Sequence, residues 1–131
     1  FIKFIAMKVS SSLTAANLAW PQVFLILHSS YFAIHYFFAS QTAQVAALAT
    51  AFLAMMLASG VPPMLAGLTM AFHTNLFGAI THYASGQSAV YFGSGYVDLK
   101  DYFRIGAIVG AFNFVLWAVV GGAWWKVIGL Y

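Results

Sequence analysis

Between Lys8 and Asp98 the chain has no aspartate, glutamate, lysine or arginine. That single feature excludes most folds. A water-soluble domain keeps its surface hydrated with charged side chains, and such domains are about 25% charged. Here 5% of residues are charged and 63% are apolar. A bilayer removes the conflict, because its hydrocarbon is a solvent for apolar faces. Backbone groups inside it must be bonded within each segment, which helices achieve. The expected fold class is all-α, multi-pass membrane.

The remaining charges lie toward the ends, at Lys3, Lys8, Asp98, Lys100, Asp101, Arg104 and Lys126. The net charge of +3 is dispersed and forms no basic patch, so the expected partner is the lipid bilayer and no nucleic acid. The chain has no cysteine, and so no disulfide, thiolate nucleophile or cysteine metal site. It opens on Phe1 with no signal-peptide pattern. We expect it to be the C-terminal part of a longer protein.

Residues 1–19 read as an interfacial segment, with Lys3 and Lys8 among apolar residues and Ser10, Ser11, Ser12 and Thr14 breaking any span. Trp20-Pro21 reads as a helix start, with tryptophan at headgroup level and proline in the first turn. The apolar run Val23–Ala39 is at the short end of the spanning range, and Ser40-Gln41-Thr42 interrupts it. The next run, Val45–Leu57, is too short to cross a core about 30 Å thick, which takes roughly 20 residues. Residues 20–58 are therefore expected to form a re-entrant helical hairpin with its tip at 40–42. Non-helical backbone at that depth needs protein or a water-filled cavity around it.

Ser59-Gly60-Val61-Pro62-Pro63 is a turn. Met64–Ile80 reads as helix, the polar stretch Thr81–Ser88 interrupts it, and Ala89–Val97 resumes the apolar pattern. Residues 64–97 are expected to be one discontinuous transmembrane helix broken at 81–88. Asp98 is placed to cap the next helix, with Asp101 in the capping-box position. Residues 102–125 are expected to be one continuous transmembrane helix. Gly106 and Gly110 would let a neighbour approach closely, and Trp124, Trp125 and Lys126 would anchor its end. This arrangement puts both ends of the chain on one side. Lys3, Lys8 and Lys126 then face Lys100 and Arg104 across the membrane, which leaves orientation unset.

The two breaks carry the chemistry. Each starts a helix inside the membrane, and a helix N-terminus offers free N–H groups and about half a positive charge. It binds an anion without any lysine or arginine. Ser40, Gln41 and Thr42 at the tip, and Thr81, Ser85, Gln87 and Ser88 at the break, add further donors. Carbonyls near Ala39 and Ile80, where the preceding half-helices end, would suit a cation. The plainer reading of each break is a kink stabilised by Ser and Thr. Two such breaks, paired, point instead to a transporter binding site.

His28 and His35 are two helical turns apart and share a face. His73 and His82 lie near the second break, His82 within it. No histidine spacing matches a zinc motif, so no metal is expected. His35 and His82 are the ones nearest the breaks and are candidate supporting residues. His82 and Ser85 would also allow an intramembrane hydrolase, although no G-x-S-x-G surrounds Ser85. A purely structural membrane subunit is the third alternative.

The strings HYFFASQTA at 35–43, GVPP at 60–63, THYASGQSAVYFGSGYV at 81–97 and WWKVIGLY at 124–131 resemble the divalent anion:sodium symporter family. Within it they resemble the dicarboxylate exchangers, which include plastid 2-oxoglutarate/malate translocators and bacterial citrate or tartrate:succinate antiporters. The resemblance implies two inverted repeats, each with a hairpin tipped by Ser-Asn-Thr and a broken helix. All of 1–131 would be the C-terminal part of one transporter domain, lacking the first repeat.

The implied function is secondary transport of di- or tricarboxylates by exchange, with sodium-coupled symport as the alternative. No enzyme activity or organic cofactor is implied, and sodium is the candidate co-ion. The implied substrate ligands are Ser40, Gln41, Thr42, Ser85, Gly86 and Gln87. The implied cation ligands are Ser40, Thr42, Ala84 and Ser85. The family tends to form homodimers, in a bacterial inner membrane or plastid inner envelope. Gln41 departs from the motif, which has Asn there, and its extra methylene moves the amide.

Overall fold

The computed structural model describes residues 18–131, and all regular structure among them is helical. The interfacial reading of 1–19 lies almost wholly outside the described residues. Helix α1, Trp20–Ile34, starts at the expected Trp-Pro pair and runs into a 3₁₀ turn at His35–Phe37. Proline is tolerated there because first-turn N–H groups have no helical partner. Val23, Leu27, His28, Tyr31 and His35 form its buried stripe.

Helix α2 occupies Gln41–Ala58. It contains one π turn at Val45–Ala49. It folds back on α1 as a hairpin. The Tyr31 and Phe52 rings meet edge-on with centroids 5.0 Å apart. The Gln44 amide ties the two arms together, donating from Nε2 to the Tyr31 carbonyl at 2.7 Å and pairing through Oε1 with His35 Nδ1 at 2.5 Å.

The second arm is longer than its apolar run alone. α2 begins at Gln41, ahead of the apolar run, and is 18 residues long. At 1.5 Å per residue that is about 27 Å, enough to cross by length and composition. Ser40 starts the helix early by capping it, and burial of Gln44 lets the polar turn continue.

Gly60, at φ 80°, ends α2. Val61 N–H donates to the Met56 carbonyl and Gly60 N–H to that of Leu57, each at 3.1 Å. This is a Schellman closure, whose left-handed residue favours glycine. Helix α3, Pro63–Leu76, then packs Leu65, Ala66, Thr69, Met70 and His73 inward.

The break begins earlier than expected, at Phe77 rather than Thr81, and ends at Ser85. Phe77 leaves the helix to stack on His35, with centroids 4.2 Å apart, and becomes fully buried. Helix α4, Gly86–Gly93, is short.

Helix α5, Leu99–Val127, is the longest and carries a π turn at Trp117–Gly121. Asp98 occupies its N-cap position, but the side chain makes no capping bond, so the expected box does not form. Gly106 and Gly110 are buried against the break. A Cβ on Gly106 would lie 2.6 Å from the Ala79 carbonyl oxygen, and one on Gly110 would lie 2.4 Å from Ile80 Cγ2. Much of the rest of α5 is exposed and apolar, including Ile105, Ile108, Phe112, Val115 and Val119.

Candidate functional site

The hairpin tip and the break meet through the backbone. Gln41 N–H donates to the Ala84 carbonyl at 3.1 Å. Tyr83 fixes the same junction from the other side, its hydroxyl donating to the Tyr36 carbonyl at 2.8 Å. The start of α2 therefore sits beside the start of α4.

Both starts have the same design. Ser40 is extended at φ −163°, and its Oγ accepts from Ala43 N–H at 3.5 Å. Ser85 is extended at φ −144°, and its Oγ accepts from Ser88 N–H at 3.2 Å. Each serine satisfies one of the N–H groups that a helix start leaves over. The N–H groups of Thr42, Gly86 and Gln87 have no partner among the described residues, and all three residues are exposed. Together they make a patch of positive potential without formal charge.

Three further contacts brace the patch. Ser85 Oγ donates to Ser88 Oγ at 3.0 Å, and Ser88 Oγ donates to the Gly78 carbonyl at 2.8 Å. The Gln41 amide rests against Gly78, where a Cβ would come 2.5 Å from Gln41 Nε2. Ser88 was among the donors expected at the break, and here it turns inward as a brace. Gly78 was not singled out. Its only sequence signal is a glycine inside an apolar run, which marks close backbone approach.

The histidines divide. His35 is buried behind the tip and holds Gln44, one turn into α2. His82 points into an aromatic group with Tyr83, Phe92, Tyr102 and Phe103, and no hydrogen bond joins it to Ser85. His28 shares the α1 face with His35 but pairs with α3. Its Nδ1 lies 2.9 Å from His73 Nδ1, and its Nε2 lies 3.0 Å from Thr69 Oγ1. Thr81 is fully buried, and its Oγ1 has no partner among the described residues. Among the described residues no three His, Asp or Glu side chains gather as a metal site would require. Ser40, Thr42, Ser85 and the Ala84 carbonyl are oxygen donors at one junction, a set suited to a hard monovalent cation rather than to a transition metal.

The comparisons agree with the membrane reading. Residues 1–131 match the family described as the sodium:sulfate symporter transmembrane region. Over 123 residues, 94% of this chain, it is 58% identical to dicarboxylate transporter 2, chloroplastic, of Spinacia oleracea, and covers 22% of that protein. It is 41% identical over 130 residues, 99% of the chain, to dicarboxylate transporter 1, chloroplastic, of Arabidopsis thaliana, covering 23% of it. It is 34% identical over 95 residues, 72% of the chain, to inner membrane protein YbhI of Escherichia coli K12, covering 20% of it. The chain thus spans about a fifth of the length of these relatives. The family and the two chloroplastic relatives are described as transporters, and none of these matches is described as an enzyme, which counts against the hydrolase alternative. With the whole chain matched and its apolar helices too poor in charge for water, this is an integral membrane segment that belongs to the sodium:sulfate symporter transmembrane family.

Proposed function

We propose that this segment forms one half of the binding site of a secondary carrier that exchanges di- or tricarboxylate anions of the malate, 2-oxoglutarate, succinate and citrate class. The Gln41-to-Ala84 backbone bond carries the reading, because it sets two serine-capped helix starts side by side. A carboxylate there accepts hydrogen bonds from the free N–H groups of Thr42, Gly86 and Gln87. The Ser40 and Thr42 hydroxyls and the Gln41 and Gln87 amides add donors, while the Ser85 hydroxyl is engaged with Ser88. Hydrogen bonds to a charged acceptor are the stronger kind. With no lysine or arginine between Lys8 and Asp98, these neutral donors are what this part of the chain offers the anion.

In this reading α1 and α2 form the re-entrant hairpin, α3 and α4 one interrupted crossing, and α5 a full crossing. Another part of the carrier supplies the opposing tip. The two chloroplastic relatives are named dicarboxylate transporters, which supports the dicarboxylate class; the proposed location is a plastid inner envelope or a bacterial inner membrane. Sodium-coupled symport is the second reading, favoured by the oxygen donors Ser40, Thr42, Ser85 and Ala84 at the same junction and by the family's description.

Counterflow in proteoliposomes with the full-length carrier separates the two. Exchange predicts that labelled succinate enters only vesicles loaded with dicarboxylate, equally in sodium and potassium buffer. Uptake that needs a sodium gradient and no internal anion would establish symport. No uptake in either buffer by folded carrier would contradict both.

A further inference from the structure

Gly78 joins three parts of the site. Its carbonyl takes the Ser88 hydroxyl from the start of α4, and its missing side chain leaves the space that the Gln41 amide occupies. A Cβ there would stand 2.5 Å from Gln41 Nε2, closer than atoms can pack, while the next nearest atoms, Gln41 Cδ at 3.6 Å and the Asn75 carbonyl at 3.8 Å, are at ordinary contact distance. Alanine at 78 thus conflicts only with the far end of one flexible side chain. That amide makes no hydrogen bond to any described residue, and it belongs to the residue that opens α2, next in sequence to Thr42 with its free N–H.

We infer that Gly78 is a positioning residue for the anion site, the seat that holds the longer Gln41 amide where it can donate to a substrate carboxylate. The inference rests on the proposed carrier function. The present placement of the Gln41 amide and any side chain at 78 exclude one another, whereas an asparagine at 41 would stop short of the seat. Gly78→Ala therefore pushes the amide off its position and leaves the backbone bonds of the junction in place. Loss of one donor to a charged carboxylate raises KM about tenfold.

The test is a double-mutant cycle in the full-length carrier, assayed by counterflow with labelled succinate. Gly78→Ala is expected to raise KM about tenfold, with maximal rate and thermal stability near those of the unmodified carrier. In a Gln41→Asn background the same substitution is expected to change KM less than twofold, because the shorter amide does not reach position 78. A Gly78→Ala carrier with unchanged KM would overturn the inference, as would an equal loss in both backgrounds, which marks a purely structural glycine. These outcomes leave the carrier reading intact. An unmodified carrier that exchanges no dicarboxylate would overturn that reading and this inference together.

Discussion

At His28 and His73 two ring nitrogens face each other 2.9 Å apart, and the neighbouring bonds decide which one carries the hydrogen. Thr69 Oγ1 donates to the Leu65 carbonyl at 2.7 Å, so it must accept from His28 Nε2–H. With both rings neutral, His28 Nδ1 is then bare and His73 Nδ1–H donates to it. Both rings are buried, so removing one strands the other's polar nitrogen. His73→Phe is expected to lower stability by about 1–3 kcal/mol, and His28→Phe/His73→Phe by less than the single change, because two apolar rings leave fewer orphaned polar atoms. Melting of the purified carrier in detergent checks this. A double variant that melts well below the single one would contradict the assignment.

Among the elements, α5 is fitted to the break rather than to a regular helix. Gly106 presses on the carbonyls of Ala79 and Ile80, inside the interruption of the crossing. Gly106→Ala would force these backbones apart and is expected to cost about 1–3 kcal/mol. Gly67 on α3 has open space around it, so Gly67→Ala is expected to be neutral or to stabilise by up to about 1 kcal/mol. Thermal melts of the two variants side by side decide it, and equal losses would contradict the packing.

The same elements show what the sequence makes legible. The helix start at Trp20-Pro21, the Gly60 turn, the long last helix and both breaks follow from proline, glycine, tryptophan and the distribution of polar residues. The edges of the breaks do not. Phe77 is as apolar as its neighbours, and its departure from α3 depends on stacking with His35, a contact made across the fold. The extra turn of α2 depends on Gln44 finding partners on α1. The candidate residues Ser40, Gln41, Thr42 and Ser85 through Gln87 come from the strings that carry them, and the fold sets the two groups side by side. The seat at Gly78 could not, because it exists only once the tip has folded onto the break.

For the whole molecule, the chain spans about a fifth of the length of its relatives. In the proposed carrier another part of the protein closes over the anion, on the side where Thr42, Gly86 and Gln87 are exposed. The central claim is that a dicarboxylate sits at the junction of tip and break, against the starts of α2 and α4. Gln87 is exposed at the start of α4, and this chain has no cysteine. The most direct measurement therefore places a single cysteine, Gln87→Cys, in a full-length carrier freed of other cysteines, and follows its reaction with a hydrophilic thiol reagent. Saturating succinate or malate is expected to slow labelling severalfold, while acetate at the same concentration leaves it unchanged. A carrier that still exchanges dicarboxylate, yet labels at the same rate with and without it, would contradict the site.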